Sequence, residues 1–179
     1  MPLIDLTTEK IEPTIEEVLQ NRVTLLELHR QELNALLSEA KFPETLYEIR
    51  FGHKRRQADL PSIEVNPLEG QWPWLATSVR DLNYMADVLV MIKNIESNVK
   101  YKYLAVLESG VRTVLNHPRN LQFKVRNYQI YDSQCQSTGY GTLDQGAVYA
   151  CRLSWLGKLW KPYSSFNIGE TYGLGGFSG

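Results

Sequence analysis

The chain has 179 residues, and 19 basic residues nearly balance 20 acidic ones, for a formal net charge of -1. This balance argues against a strongly electrostatic partner such as bulk nucleic acid or an anionic membrane. The hydrophobic and charged fractions, 43% and 22%, are those of an ordinary globular protein. A chain of this length can bury a core without disulfides or metals.

The two cysteines, Cys135 and Cys151, are expected to be reduced thiols, although a bridge across the segment between them stays open. No apolar run approaches the roughly 20 residues that cross a bilayer. The first residues, MPLIDLTTEK, lack the basic start and apolar run of a signal peptide. These features predict a protein that is made and used in the cytoplasm.

The first predicted element is one long helix over residues 14–40. Thr14 and Glu17 have the spacing of a capping box, and apolar residues then recur every three or four positions, with one gap of seven. Such a helix would be about 40 Å long. It is expected to end before Pro43.

Two short strands are predicted next, at residues 46–51 and 62–66, and are expected to pair antiparallel. The loop between them carries a basic run at Lys54, Arg55 and Arg56. This run is either a solvated loop tip, a contact with nucleic acid backbone, or a contact with an acidic patch on a neighbouring subunit.

An irregular connection is predicted over residues 67–83, where prolines and glycine surround Trp72 and Trp74. In such a connection the two tryptophans cannot both be ordinary core residues, and aromatic side chains are enriched at protein interfaces. They are interpreted either as interface residues or as a lid on the core.

A nearly continuous apolar run over residues 84–92, interrupted by Asp87, predicts a central strand buried on both faces. An amphipathic helix over residues 97–117 follows. Gly110 falls on its apolar face, where it would allow close packing, and Pro118 ends the helix.

Two strands are predicted to complete the domain, at residues 122–131 and 147–155. The second alternates cleanly, with Cys151 on one face and Arg152 on the other. The connection over 132–145 is rich in Ser, Thr, Gly and Asp and is predicted to be a mobile loop.

The last segment, residues 161–179, differs in kind from the rest of the chain. It holds five glycines and shows no period of 2 or 3.6 over its length. We interpret it as a flexible arm that carries aromatic side chains, namely Tyr163, Phe166, Tyr172 and Phe177.

Together these elements predict a single α+β domain over residues 1–160, followed by the arm. Its small mixed or antiparallel sheet of about five strands is expected to pack against two amphipathic helices. The connection at 67–83 is read as an insertion in that domain.

No motif for catalysis, for a cofactor or for a metal is present in the sequence, so neither an enzyme nor a cofactor is expected. The strongest alternative of that class is a small metal-dependent nuclease. Glu64 and Asp87 fall on adjacent predicted strands and Lys93 follows, so the carboxylates could hold a magnesium ion and the lysine could polarise a phosphate. The tight acid–x–Lys spacing of such sites is absent.

The order of elements resembles that of tail-terminator, or tail-completion, proteins of long-tailed bacteriophages. An apolar strand (ADVLVMIKN) runs into a helix (NVKYKYLAVLESGVRTVL), which two strands follow (FKVRNYQIY and AVYACRLSW). The resemblance covers residues 14–157 and is one of element order rather than of a signature motif. The family carries no catalytic residues.

This resemblance implies a structural virion protein that forms a ring, expected to be a homohexamer, at the head–tail junction. The ring would end the tail tube and join it to the neck or connector proteins, and to a tail sheath where one is present. Contact with DNA would be transient and through the lumen, and no membrane is involved. A head-completion or neck adaptor protein is the alternative virion role. The candidate interface residues are Trp72, Trp74, Lys54, Arg55, Arg56, Tyr163, Phe166, Tyr172 and Phe177.

Overall fold

A computed structural model of the chain describes residues 12–52, 59–68, 81–95 and 98–160. Its helices and strands are α1 (Ile15–Leu28), α2 (Arg30–Glu39), β1 (Glu48–Phe51), β2 (Ser62–Pro67), β3 (Asp81–Lys93), α3 (Val99–Asn116), β4 (Gln129–Leu143) and β5 (Val148–Trp160). The strands form one mixed sheet in the order β1-β2-β3-β5-β4. The predicted α+β class with a small sheet of about five strands is therefore confirmed.

The predicted single helix over 14–40 is two helices. The capping box at its start is present, since Thr14 N donates to Glu17 Oε2 at 2.8 Å and Glu17 N donates to Thr14 Oγ1 at 3.2 Å. The helix ends at His29, whose backbone (φ -103°, ψ 15°) leaves the helical region. The gap of seven residues in the apolar stripe, from Leu26 to Leu33, spans this change of direction.

The first two strands pair parallel, so the antiparallel prediction was wrong. Glu48 lies opposite Ser62 and Phe51 lies opposite Val65. A four-residue strand is only about 13 Å long. In a parallel pair, the chain must return to the end of the sheet at which β1 begins before β2 can start. The connection over residues 52–61 is long enough for this return, whereas a hairpin turn is not.

β3 is the central strand, between β2 and β5, as predicted. Its helix-side residues Ala86, Val88, Val90 and Ile92 are at most 1% exposed. The other face is only partly covered, and Asp87 there is half-buried. The predicted burial of both faces is therefore confirmed for the helix side and only in part for the other side.

The three helices and the sheet enclose one main core. α1 packs on β1 and β2, while α3 packs on β3, β4 and β5. α2 lies against α3, and a Cβ atom added to Gly110 would lie 2.8 Å from the side chains of Leu33 and Leu36. The predicted close packing at Gly110 is confirmed. No helix of the described residues is long and apolar enough to cross a membrane.

The predicted strand over 122–131 is a strand only from Gln129 onward, and the predicted mobile loop over 132–145 was wrong. Pro118–Gln122 is a 3₁₀ helix, and β4 then runs from Gln129 through Leu143. It pairs antiparallel with β5, with irregularities after Ile130 and after Ser137. Small polar residues are typical of loops, but they are also tolerated in an edge strand, whose outer part need not be buried.

The predicted alternation of β5 is confirmed on its core face. The buried residues there are Tyr149, Cys151, Leu153 and Trp155, whereas Arg152 is exposed on the opposite face. Cys135 and Cys151 are free and buried.

Candidate functional site

The interface residues singled out from the sequence all lie outside the described residues and stay predictions. They are Lys54, Arg55, Arg56, Trp72, Trp74, Tyr163, Phe166, Tyr172 and Phe177. The described residues nevertheless include a surface that the sequence pattern did not reveal, namely the outer side of β4.

The residues of the nuclease alternative are only partly brought together. Glu64 and Asp87 do lie on adjacent strands, but Arg50 binds Glu64 and Arg152 binds Asp87. Lys93 lies six residues beyond Asp87 on β3, about 20 Å along the strand. No group of three or more His, Cys, Asp or Glu side chains that might hold a metal occurs among the described residues. This arrangement gives the nuclease reading no support.

β4 forms the outer edge of the sheet, with β5 as its neighbour. Residues 136–143 are all exposed, including the large side chains of Tyr140 (47% exposed) and Leu143 (41%). The backbone groups on the free side of an edge strand have no partner in the sheet, so a strand from another chain can pair with them.

This edge lacks two of the features that usually prevent such pairing, charged residues and prolines, and it retains one bulge-like irregularity after Ser137. Residues 133–143, which lie between Asp132 and Asp144, include no charged residue and no proline. Natural sheets commonly protect exposed edges with lysines, prolines or short strands. A 15-residue edge strand without charge over most of its length is therefore suited to pairing with a partner. We refer to residues 133–143 as the uncharged edge.

Neither packing nor backbone conformation within the described residues requires glycine at two positions of the uncharged edge. Gly139 and Gly141 lie two residues apart, on the sheet face opposite the helices, across from Arg152 and Ala150 of β5. A Cβ atom added to either would meet nothing within 4 Å, and neither has a left-handed backbone. Glycine inside a strand weakens it and often marks close approach of another backbone.

Ion pairs fix the charged side chains beside the uncharged edge. Arg152 binds Asp87 of β3, and its side chain remains 56% exposed. Lys158 lies 3.0 Å from Asp132 at the start of β4. The sheet face next to the glycines therefore presents an exposed guanidinium that is held in place.

The helix side of β4 holds a buried cluster that is chemically inert. Burial raises the pKa of Cys135 to about 12, with Glu108 adding to the effect, and burial also raises the pKa of Cys151. Glu108 on α3 is buried, and its Oε1 lies 3.6 Å from Arg112 Nη1. Because the thiolate is the reactive form of cysteine, these thiols are poor nucleophiles and poor metal ligands.

A second unusual group is the buried guanidinium of Arg22, which is 1% exposed. Its Nη2 donates to Asn21 Oδ1 at 2.6 Å and to the Phe123 carbonyl at 3.2 Å, and it lies near the rings of Phe123 and Trp155. Burial lowers the pKa of Arg22 to about 10. These contacts join α1 to the segment before β4, which is a structural role.

A groove of about 610 Å³ runs along the surface where α2 meets α3. Leu33, Leu36 and Val106 line it, and His29 and His117 are at its rim. His29 Nδ1 lies 3.9 Å from Glu32. The groove is an apolar surface distinct from the uncharged edge.

A comparison with known protein families and with curated proteins found no match to this chain. The surface is therefore described by its own geometry: a long, exposed, uncharged sheet edge with two sterically free glycines and a fixed arginine beside it. Sequence reasoning missed this edge because Ser, Thr and Gly were read as loop residues. The absence of charge between Asp132 and Asp144 was the available signal.

Proposed function

We propose that the protein is a structural virion subunit that forms a ring at the head–tail junction of a tailed phage and terminates the tail tube. The observation that carries this proposal is the uncharged edge of β4. Such an edge promotes unwanted association in a monomer. It is useful in a subunit whose edge becomes covered on assembly.

The nature of the contact favours a closed ring. When an edge meets a different surface of the next copy, the contact is heterologous, and a heterologous contact of suitable rotation closes into a ring. A closed ring leaves no free edge, so assembly stops. This behaviour suits a protein whose task is to end a growing tube.

The order of the described elements supports the same proposal. A helical N-terminal part is followed by two short strands, a long central strand, a helix and a long strand pair. This is the order on which the resemblance to tail terminators rests, with the first helix divided at His29.

The proposal is tested by mixing the full-length protein with the tail-tube protein of the same virus. Light scattering would give the mass of the free protein, and electron microscopy would show the tube ends. We expect rings, either free or at one end of the tubes, and shorter tubes. A protein that stays monomeric and leaves tube ends and tube lengths unchanged would contradict the proposal.

Two double variants show whether the edge is responsible. Gly139→Lys/Gly141→Lys places charge on the uncharged edge at positions where a side chain has room. Gln20→Lys/Gln31→Lys adds the same charge at exposed helix positions. The edge variant should lose rings and tube capping, and the helix variant should keep both. Rings that bind tail-less heads and do not bind tail tubes would indicate a head-completion protein instead.

A further inference from the structure

We propose that the uncharged edge of β4 is paired by a strand formed from residues 166–174 of a neighbouring copy of the chain. Each subunit would thereby add an arm to the sheet of the next one. This inference rests on the proposed ring and identifies the surface and the occupant of its subunit contact. In strand addition, main-chain hydrogen bonds supply affinity and alternate side chains supply specificity.

The occupant is favoured by its own sequence pattern. Residues 161–179 as a whole have no period, but the stretch FNIGETYGL at 166–174 alternates. Its even positions are Phe166, Ile168, Glu170, Tyr172 and Leu174, and its odd positions are small or polar. Extended, nine residues span about 30 Å, close to the roughly 36 Å of the uncharged edge.

The glycines of β4 fit this occupant. Gly139 and Gly141 leave bare backbone on the sheet face opposite the helices, with open space above each. Large side chains on a neighbouring strand can cover glycines in a sheet and offset their cost. With its even positions on that face and Glu170 opposite Gly139, the arm would place either Ile168 or Tyr172, depending on strand direction, opposite Gly141.

Charge complementarity supports one register. Glu170 is the only acidic residue among 166–174. Arg152 on β5 pairs with Gly139. If Glu170 lies opposite Gly139 on the other side of β4, only this one strand separates Glu170 from Arg152. The intervening glycine has no side chain to block the exposed guanidinium. An exposed ion pair adds little affinity, but it disfavours registers that leave the carboxylate beside uncharged neighbours.

The experiment is a disulfide test between full-length copies in the ring. One copy carries Gly139→Cys and the other carries Glu170→Cys, and the mixed sample is oxidised and separated by mass under non-reducing conditions. The native cysteines are buried and should not react. We expect a cross-linked heterodimer that is at least about tenfold more abundant than with Gln31→Cys on α2 in place of Gly139→Cys.

A second readout uses full-length protein with the arm rearranged. In this variant, residues 166–174 keep their composition but lose the alternation. The concentration at which half the protein is assembled should rise about tenfold or more, as it should for Gly139→Lys/Gly141→Lys. Val106→Lys, which alters the groove between α2 and α3, should leave that concentration unchanged.

Each result separates this inference from the proposed function. Rings that form equally well with the rearranged arm would overturn the strand pairing and leave the ring intact. If the cross-link forms only when both cysteines are in the same chain, the arm pairs with its own subunit. That result would overturn the proposed pairing between neighbouring copies. Loss of assembly in Val106→Lys alone would assign the contact between copies to the groove and overturn the pairing at the uncharged edge. The absence of any ring would contradict the proposed function itself.

Discussion

At the scale of single residues, Trp155 and Gly157 show how tightly the core face of β5 is packed. The Trp155 indole donates to Ser133 Oγ at 2.8 Å, and Ser133 Oγ donates to the Leu115 carbonyl at 2.6 Å. The ring thus held occupies the space beside Gly157, where any other residue would place its Cβ atom. This glycine is required by a neighbour rather than by its backbone conformation.

We expect Gly157→Ala to lower the free energy of unfolding by about 1–3 kcal/mol, because the added methyl group overpacks a fixed ring. Urea unfolding followed by tryptophan fluorescence would measure the change. Gly139→Ala is the matched control on the neighbouring strand, since its Cβ meets nothing within 4 Å. Its unfolding free energy should be unchanged or higher by about 0.5–1 kcal/mol. Equal losses in both variants would show that the indole does not set the cost.

At the scale of elements, the contact between α2 and α3 depends on Gly110. The Leu33 and Leu36 side chains approach to 2.8 Å from the position that a Cβ would occupy. Among the helices and strands, α2 contacts mainly α3, and it contacts α1 to a smaller extent. The helix crossing is therefore sensitive to the size of one side chain.

We expect Gly110→Leu to lower the free energy of unfolding by about 2 kcal/mol or more, since a branched side chain would push α2 away from α3. Ala105→Leu, at an exposed position of the same helix, should change it by less than about 0.5 kcal/mol. Thermal unfolding of both variants by circular dichroism provides the measurement. A Gly110→Leu protein as stable as Ala105→Leu would contradict the close crossing.

The elements also show how far the sequence could be read. Apolar periodicity identified α3, β3 and β5 because these elements bury one regular face, and the capping box located the start of α1. Periodicity is a local signal, so it did not report that β1 and β2 are parallel, which depends on where the chain returns. It also failed for β4, because an exposed edge strand buries too little to impose a pattern.

At the scale of the whole molecule, the free energy of unfolding should fall at alkaline pH, because burial in the folded state keeps the two cysteine thiols protonated. The pKa of Cys135 is raised from 9.0 to about 12 by burial, and that of Cys151 is raised by the same cause. Glu108 and Arg112 face both thiols, with opposing effects. Above pH 9 the unfolded thiols lose their protons while the folded ones retain them.

The unfolded state then binds fewer protons than the folded state, so the free energy of unfolding decreases as pH rises, by up to about 1.4 kcal/mol per pH unit for Cys135, and Cys151 contributes with the same sign. We expect this loss between about pH 9 and about pH 10, before the tyrosines contribute. Urea unfolding of the wild type and of Cys135→Ala/Cys151→Ala would measure it. The variant should show a flatter profile over that range, and an identical slope would contradict the assignment to the thiols.

The placement of β5 has a consequence for synthesis. β5 is the last described strand along the chain, yet it lies between β3 and β4 in the sheet. At about 5–20 residues per second, β3 leaves the ribosome several seconds before β5 can pair with it. During that interval the apolar edge at Val88 and Val90 lacks its eventual neighbour. We therefore expect the yield of folded protein to depend on what shields this edge on the nascent chain, as well as on the stability of the finished sheet.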